Sequence, residues 1–309
     1  MTNILVTGSK GQVGSEIRAL VMSEVQGEAK ATHPQELGCA ALAAPYGNFF
    51  FTDRTTLDIT NLSNINDFIT TNAIEVIINC AAYTAVDKAE DDIKAAEEVN
   101  TKSVEKLSLI AKERNIKLIH ISTDYVFNGE NFKPYTEDDT TSPNGVYGVT
   151  KLAGERVMQE INPKDSIIIR TSWVYSSFGA NFVKTMLRLG KERDSLGVIY
   201  DQVGTPTYAR DLAKAILDII PNIKNKQVAI YNYSNEGVLS WYDFSKEIMR
   251  MAKIECYINP IETKDYPTPA KRPHYSLLNK SKIKKEFNID IPYWKDSLNE
   301  CLKTLGERK

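Results

Sequence analysis

The first 175 residues alternate apolar strand segments with helical segments, and this alternation limits the chain to a small set of folds. The strand candidates, rich in Ile, Val and Phe, are "NILVTG" (3–8), "NFFFTD" (48–53), "AIEVIINCAA" (73–82), "IKLIHISTD" (116–124) and "SIIIRTSWVY" (166–175). Apolar residues at helical spacing lie between them at 13–25, 61–71, 92–115 and 146–161. Such alternation predicts a parallel sheet covered on both faces, so the predicted class is α/β with a Rossmann-like doubly wound sheet.

Beyond residue 175 the alternation is less regular, and a proline-rich stretch, "NPIETKDYPTPAKRP", precedes a final helix. We therefore predict two domains. A nucleotide-binding domain covers residues 1–172, and a smaller α/β substrate-binding domain covers 173–309. A segment at about 195–222 is predicted to return to the first domain.

The composition excludes several classes of function. The net charge is −2 and the basic residues are scattered, so we expect no nucleic-acid partner. Four cysteines without a CxxC pair and three histidines argue against a zinc site or a disulfide framework, and favour free thiols in a reducing cytoplasm. No apolar run reaches the roughly 18–20 residues that span a bilayer. The expected protein is cytoplasmic, without a membrane partner.

A glycine-rich turn follows the first strand. "TGSKGQVGSE" places Gly8, Gly11 and Gly14 where the strand gives way to a helix. Glycine there lets the backbone approach a pyrophosphate, whose charge the helix N-terminus favours. The spacing is GxxGxxG rather than GxGxxG, so a turn that serves only packing is the alternative. The position after the first strand favours a dinucleotide.

The dinucleotide fingerprint also includes an acidic residue after the second strand, which binds the ribose hydroxyls. Asp53 in "FFFTDR" suits this role if residues 26–47 are an insertion; otherwise it is a strand-end turn residue. Arg54 beside it suits a 2′-phosphate, so NADH and NADPH both stay open. Asp58 is the next polar group towards the adenine side, and a helix N-cap is its alternative role.

Three polar side chains have the chemistry to reduce a ketone. Tyr147 and Lys151 are four residues apart at the start of a predicted helix and therefore share a face. Thr123 ends a strand, and ligands of doubly wound sheets lie at the carboxyl ends of strands. The tyrosine would donate the proton, and a neighbouring ammonium would lower its pKa. A strand-edge threonine without a role is the alternative for Thr123.

A second pair, Tyr242 and Lys246 in "WYDFSK", has the same spacing. It has no glycine turn or strand-end hydroxyl nearby. We interpret it as helix surface.

The strings "TGSKGQVG", "NCAAYTAVDKAE", "STDYVF" and "YGVTKLAGE", in this order, resemble the extended short-chain dehydrogenase/reductases. "STDYVFNG", "RTSWVYSSFGANFVKTML", "DQVGTPTYARDLA" and "YPTPAKRPHYSLLN" resemble the dTDP-4-dehydrorhamnose reductase family, over about residues 2–302. The resemblance implies a Rossmann domain with a nucleotide-sugar domain. It also implies reduction of the C4 keto group of dTDP-4-dehydro-β-L-rhamnose to dTDP-L-rhamnose, a precursor of cell-surface polysaccharide, by NAD(P)H.

The resemblance also implies a role for each matched residue. It makes Tyr147 the proton donor, assisted by Lys151 and Thr123. The cofactor would bind at Gly8, Gly11, Gln12, Val13, Gly14, Asp53, Asp58, Ile59, Ala82, Tyr83, Thr84, Tyr147 and Lys151. The sugar nucleotide would contact Thr123, Asp124, Trp173, Asn181 and Arg272. Without the resemblance, a core role for Trp173 and a surface role for Asn181 and Arg272 are the alternatives.

The expected cofactor is NADPH, with NADH as the alternative, and the expected partner is a dTDP-sugar. Some family members dimerise through a magnesium ion held by glutamates, but "YARDLA" has Arg210 where a carboxylate is required. A cation there opposes a second cation, so no metal is predicted. A homodimer and a monomer both stay open.

Two other functions remain as alternatives. One is a sibling nucleotide-sugar 4-ketoreductase or epimerase that acts on another sugar. The other is a non-catalytic binding subunit, because the regulatory β subunit of methionine adenosyltransferase resembles the same family. All three catalytic positions are occupied here, which favours an enzyme.

Overall fold

The computed structural model describes residues 1–28, 42–44 and 46–307. Its strands are β1 (Asn3–Thr7), β2 (Leu42–Ala44), β3 (Gly47–Phe51), β4 (Val76–Asn79), β5 (Lys117–Thr123), β6 (Ile167–Thr171), β7 (Val174–Tyr175), β8 (Ser195–Ile199), β9 (Val203–Gly204), β10 (Thr207–Tyr208), β11 (Ala229–Tyr233), β12 (Leu239–Ser240) and β13 (Tyr257–Ile261). Its α-helices are α1 (Gln12–Glu28), α2 (Leu62–Thr71), α3 (Val86–Ala89), α4 (Ile93–Glu97), α5 (Ser103–Arg114), α6 (Val146–Ile161), α7 (Phe182–Glu192), α8 (Ala209–Ile219), α9 (Trp241–Ala252), α10 (Ser281–Phe287) and α11 (Trp294–Thr304).

The main sheet has the strand order β11-β6-β5-β4-β1-β3-β2 within the described residues. Six of these strands run parallel, and β2 pairs antiparallel with β3 at the edge. From β1 the chain first moves to β3 on one side and then returns to β4 on the other. The predicted α/β class with a Rossmann-like sheet is confirmed. The change of direction between β1 and β4 opens a crevice at the carboxyl ends of these strands, where such sheets bind ligands.

Alternation along β1 explains why its three central residues are all apolar. Ile4 and Val6 pack with α1 and α8 on one face of the sheet, whereas Leu5 packs with α2 and α5 on the other. Successive strand residues point to opposite faces, so a sheet that is covered on both faces needs an apolar residue at every position.

A second apolar cluster lies away from the sheet. It packs α7, α9 and α11 against β8 and β13, which pair with each other and not with the main sheet. Within the segment 195–222, predicted to return, β8 therefore stays with the second lobe, and α8 packs against the core of the main sheet. The returning strand is β11, which joins β6 after α8 in a parallel crossover of the usual kind. The division at residues 172 and 173 stays a prediction, and most of the predicted insertion at 26–47 lies outside the described residues.

The helix predicted over 92–115 is divided by a π-helical turn at Glu98–Lys102. At this turn α6 comes very close to the neighbouring backbone, because a Cβ on Gly154 would lie 2.2 Å from the carbonyl oxygen of Asn100. The Asn100 side chain also hydrogen-bonds the Thr150 hydroxyl and the backbone of Tyr83. Asn100 therefore holds α6 in place beside the loop that follows β4.

Among the described helices, none is long and apolar enough to cross a membrane.

We expect Gly154→Ala to lower the free energy of unfolding by about 1–3 kcal/mol, because the added methyl group meets a backbone atom that cannot turn aside. The control is Gly190→Ala, whose methyl group would meet the flexible end of Met249. Both changes raise helix propensity equally, so urea unfolding of the two variants isolates the steric effect. Equal stabilities would show that α6 is not held tightly at this point.

Candidate active site

A cleft of about 830 Å³ opens at the carboxyl ends of the parallel strands. This volume lies in the range of pockets that hold cofactors. Most of the predicted site residues line it, namely Gly8, Gly11, Gln12, Val13, Asp53, Asp58, Ile59, Ala82, Tyr83, Thr84, Thr123, Asp124, Tyr147, Lys151 and Trp173. The crevice of the sheet thus brings together residues that are more than 150 positions apart in the sequence.

The glycine turn forms one wall of the cleft. Gly8 has φ +64°, and a Cβ on it would lie 2.6 Å from the backbone nitrogen of Ala81. The N–H of Gly11 donates to the Gly8 carbonyl at 2.9 Å, and α1 begins at the next residue. The first N–H groups of a helix have no partner within the helix, so this end suits a pyrophosphate. Gly14 lies behind the turn, where a Cβ would meet the Gly8 carbonyl at 2.6 Å, and does not line the cleft.

Asp53 lines the cleft shortly after the end of β3 at Phe51. Its Oδ1 accepts hydrogen bonds from the backbone N–H and hydroxyl of Thr55, and its Oδ2 lies 2.5 Å from Lys10 Nζ. The hydrogen bond from Lys10 is the main cause that holds the pKa of Asp53 well below its usual value. The carboxylate is therefore ionised over the whole physiological range, as a ribose ligand must be.

Asp58 closes a turn beside Asp53. Its Oδ1 accepts hydrogen bonds from the N–H and hydroxyl of Thr60, and these bonds lower its pKa. The N-cap of α2 is Asn61, so the alternative role of Asp58 as a helix cap is wrong.

Tyr147, Lys151 and Thr123 meet in the middle of the cleft. The Tyr147 ring packs edge-to-face on Tyr125, with ring centroids 5.5 Å apart. Thr123 ends β5 and donates a hydrogen bond to Asp124 Oδ1 at 3.0 Å. One turn along α6 from Tyr147, the buried Lys151 donates through Nζ to the Ile121 carbonyl at 2.6 Å.

The pKa values of the pair depend mainly on burial. Burial raises the pKa of Tyr147 to about 12, while a hydrogen bond with Thr123 lowers it and the charge of Asp124 raises it. Burial lowers the pKa of Lys151 to about 8. In the structure Lys151 Nζ faces the Ile121 carbonyl and His120 Nε2, and a lowering of the Tyr147 pKa by the ammonium stays a prediction.

Asp124 is buried and lines the cleft beside the tyrosine. Its Oδ2 has no well-formed hydrogen bond among the described residues, and the nearby Ser276 hydroxyl offsets only part of the effect of burial on its pKa. Burial raises the pKa of this carboxyl to about 7. A buried polar atom without a partner is energetically costly, so the geometry leaves Asp124 free to accept a hydrogen bond from a ligand.

Trp173 adopts φ +49°, a left-handed conformation that is rare for a bulky residue. Its ring stacks on Trp241, with centroids 3.6 Å apart and planes 13° from parallel. Both rings line the cleft and give it one apolar aromatic wall. Backbone strain of this kind persists at sites where the surroundings hold a side chain in a required orientation.

Asn181 and Arg272, two of the residues predicted to contact the sugar nucleotide, do not line the cleft. Asn181 is the N-cap of α7 and donates to the side chain of Gln12 at 3.0 Å, so it supports a residue that does line the cleft. Arg272 makes a bidentate pair with Asp87 at 3.1 and 2.7 Å. Their substrate contacts stay predictions. Tyr242 and Lys246 lie on α9 outside the cleft lining.

The absence of a metal near Arg210 stays a prediction, and the contacts there are consistent with it. Glu16 is buried, accepts a hydrogen bond from Ser176 at 2.6 Å, and lies 3.6 Å from the Arg210 guanidinium. Among the described residues no three His, Cys, Asp or Glu side chains cluster in a way that could hold a metal. Arg210 already compensates the charge that a cation would neutralise.

Sequence reasoning missed several residues of the site. Lys10 and Trp241 line the cleft, and His120 lies beneath it against Lys151, with Nε2 and Nζ 3.1 Å apart. The signal for His120 was its place in the otherwise apolar strand "KLIHIST". Nothing local marks Trp241, because its partner Trp173 is far away in the sequence.

Known proteins share this arrangement over the full chain. The family model described as the RmlD substrate binding domain matches residues 1–307. The dTDP-4-dehydrorhamnose reductase of Aggregatibacter actinomycetemcomitans is 39% identical over 96% of this chain and 97% of that protein.

Two crystal structures are also similar. A dTDP-4-dehydrorhamnose reductase from Clostridium acetobutylicum ATCC 824 has a TM-score of 0.86 and 38% identity, and covers 99% of this chain and 100% of its own. The dTDP-4-dehydrorhamnose reductase from Bacillus anthracis str. Ames in complex with NADP has a TM-score of 0.85 and 32% identity, and covers 98% and 100%. From its sequence, its fold and the residues of its cleft, the chain belongs to the dTDP-4-dehydrorhamnose reductase family.

Proposed function

We propose that this protein reduces the C4 keto group of dTDP-4-dehydro-β-L-rhamnose to dTDP-L-rhamnose, with NADPH as the preferred cofactor. The observation that carries the proposal is a single cleft with a dinucleotide turn at one end and Tyr147, Thr123, Asp124 and Trp173 at the other. The relatives are named for this reaction, and one of them binds NADP.

Tyr147 is the proton donor in this proposal. Bound NADPH supplies a hydride to the carbonyl carbon, and the carbonyl oxygen then needs a proton. The pKa of about 12 keeps the phenol protonated at neutral pH. An alkoxide is far more basic than a phenolate, so transfer from the tyrosine is downhill even with this raised pKa. The Thr123 hydroxyl, which donates to Asp124 Oδ1 in the structure, turns to donate to the same oxygen while its charge develops.

Asp124 and the tryptophan pair position the sugar. The free Oδ2 of Asp124 accepts a hydrogen bond from a sugar hydroxyl, which satisfies a buried atom that otherwise has no partner in the described structure. The flat face of Trp173, supported from behind by Trp241, covers the apolar side of the ring. Lys151 donates a hydrogen bond to the nicotinamide ribose through an N–H that is not bound to the Ile121 carbonyl.

The proposal includes no magnesium ion. The Arg210 guanidinium lies beside Glu16 and would repel a second cation there. A sibling sugar substrate and a purely regulatory binding role are the two alternatives that the activity assay must separate.

We expect purified protein to oxidise NADPH when dTDP-4-dehydro-β-L-rhamnose is generated in place, with one dTDP-L-rhamnose formed per NADPH. Product identity is read by chromatography and mass. NADPH binding without oxidation would favour the binding subunit, and NAD that copurifies and is regenerated in each cycle would favour an epimerase. Oxidation only with another dTDP-4-keto sugar would identify a sibling reductase.

Tyr147→Phe removes one oxygen atom and keeps the ring, so the variant should fold and bind NADPH. Because general acid catalysis is typically worth roughly 10²–10⁴-fold, kcat should fall by that order. Tyr242→Phe is the matched control outside the cleft and should keep the wild-type rate. A Tyr147→Phe enzyme with near wild-type kcat would remove the tyrosine from its role as proton donor.

Asp53→Asn should weaken NADH binding about tenfold, because hydrogen bonds to a charged carboxylate are lost. NADPH should lose less affinity, since the change also removes a negative charge beside the 2′-phosphate. Titration of both dinucleotides by fluorescence measures the difference, and Asp67→Asn on the exposed side of α2 is the control. Unchanged NADH affinity would mean that Asp53 does not bind the ribose.

A further inference from the structure

Lys151 ends a buried chain of hydrogen-bonded side chains that crosses three strands of the sheet. Thr7 Oγ1 lies 2.7 Å from Asn79 Oδ1, and Asn79 Nδ2 lies 3.0 Å from His120 Nδ1. His120 Nε2 lies 3.1 Å from Lys151 Nζ. All four residues are at most 1% exposed. Of these four residues only Lys151 lines the cleft, and the other three lie below it.

The orientation of the Asn79 amide determines which nitrogen of His120 carries the proton. The backbone N–H of Ala81 lies 3.3 Å from the Asn79 side chain and can only donate, so the atom that faces it is the oxygen. The Asn79 NH₂ group therefore faces His120 and donates to Nδ1. A neutral imidazole has one N–H, and it must then be on Nε2, pointing at Lys151.

His120 is neutral because burial and the neighbouring Lys151 hold its pKa well below the usual value. An Nε2–H group forms a hydrogen bond with Lys151 only if Nζ has a lone pair, which means a neutral amine. An ammonium at this place would face a second donor at 3.1 Å. The Ile121 carbonyl accepts an N–H from Lys151 in either state and does not discriminate between them.

The other groups near Lys151 do not supply a full counter-charge. Glu155, one turn further along α6, is held by Arg170 of β6 at 2.7 Å and by the Ser122 hydroxyl. The Cys80 thiol is protonated, because burial raises its pKa to about 12. The Tyr147 phenol is neutral as well. Among the described residues Lys151 forms no salt bridge, and burial lowers its pKa to about 8, against the opposing effect of Glu155.

We propose that His120 is a positioning residue that controls the protonation of Lys151: the Asn79 amide holds it as the Nε2–H tautomer, which destabilises the ammonium of the lysine relative to the amine. The consequence for turnover rests on the proposed reductase function. After Tyr147 gives its proton to the sugar oxygen, the Lys151 ammonium returns a proton to the phenolate and becomes the amine that His120 stabilises. Solvent then protonates the amine again, so the protons balance.

The tautomer is measured directly by ¹⁵N NMR of histidine-labelled protein without ligand. The sequence has three histidines, so His120→Gln and His274→Gln variants assign the signals. We expect His120 to be neutral with its proton on Nε2. A proton on Nδ1, or an imidazolium at pH 7, would overturn the proposal. The measurement needs no activity, so it stands whether or not the proposed reaction is confirmed.

The pH profile tests the effect on Lys151. His120→Gln removes the donor and offers an amide oxygen, so the Lys151 ammonium should persist to higher pH. The alkaline limb of the kcat–pH profile should therefore move up by about one pH unit. His274→Gln, the same change at a partly exposed site outside the cleft lining, should leave the profile unmoved. Asn79→Asp should shift the His120 proton to Nδ1 and raise the same limb. If the folded His120→Gln protein keeps the wild-type alkaline limb of the kcat–pH profile, the result contradicts the proposal.

Discussion

The closeness of two backbone segments, the turn after β1 and the segment after β4, is the constraint on which the cleft depends. Gly8 comes so near to Ala81 that no side chain fits between them. This contact holds the start of α1 against the strand ends that line the cleft. It also places the Ala81 N–H on the Asn79 oxygen, and the buried chain to Lys151 starts there. One close contact thus shapes the wall of the cleft and also orients the Asn79 side chain in the buried chain to Lys151.

Burial sets the electrostatics of the site more than ion pairing does. Tyr147 and Asp124 have raised pKa values and Lys151 a lowered one, and in all three burial is the largest cause. The buried carboxylate near the lysine is neutralised by Arg170, so it does not hold Lys151 as a full ion pair. Burial brings the charged and neutral forms of Lys151 and Asp124 close in free energy near pH 7, so a change in their protonation costs little.

Much of the fold and of the cofactor end was accessible from the sequence, because local patterns encode them. Apolar strands of the right length, the glycines after β1 and the four-residue spacing of Tyr147 and Lys151 each reflect a local geometric rule. The prediction of one helix over 92–115 was wrong at its middle, because tertiary contacts around Asn100 accompany a π-helical turn there. The segment at 195–222 was predicted to return to the first domain, but only α8 packs on the main sheet, whereas β8 pairs with β13. Strand partners depend on hydrogen bonds between distant segments, which the sequence pattern does not show.

The sequence by itself determined that this chain forms a doubly wound sheet with a dinucleotide turn, a strand-end threonine and a tyrosine–lysine pair on one helix face. These features need only the periods of strands and helices and the freedom of glycine. The tertiary structure alone decided that Lys151 contacts His120, that Trp241 stacks on Trp173, and that Asn181 supports Gln12 from outside the cleft. Such pairings join residues far apart in the chain, and their geometry follows from how the helices pack on the sheet, which no local spacing encodes.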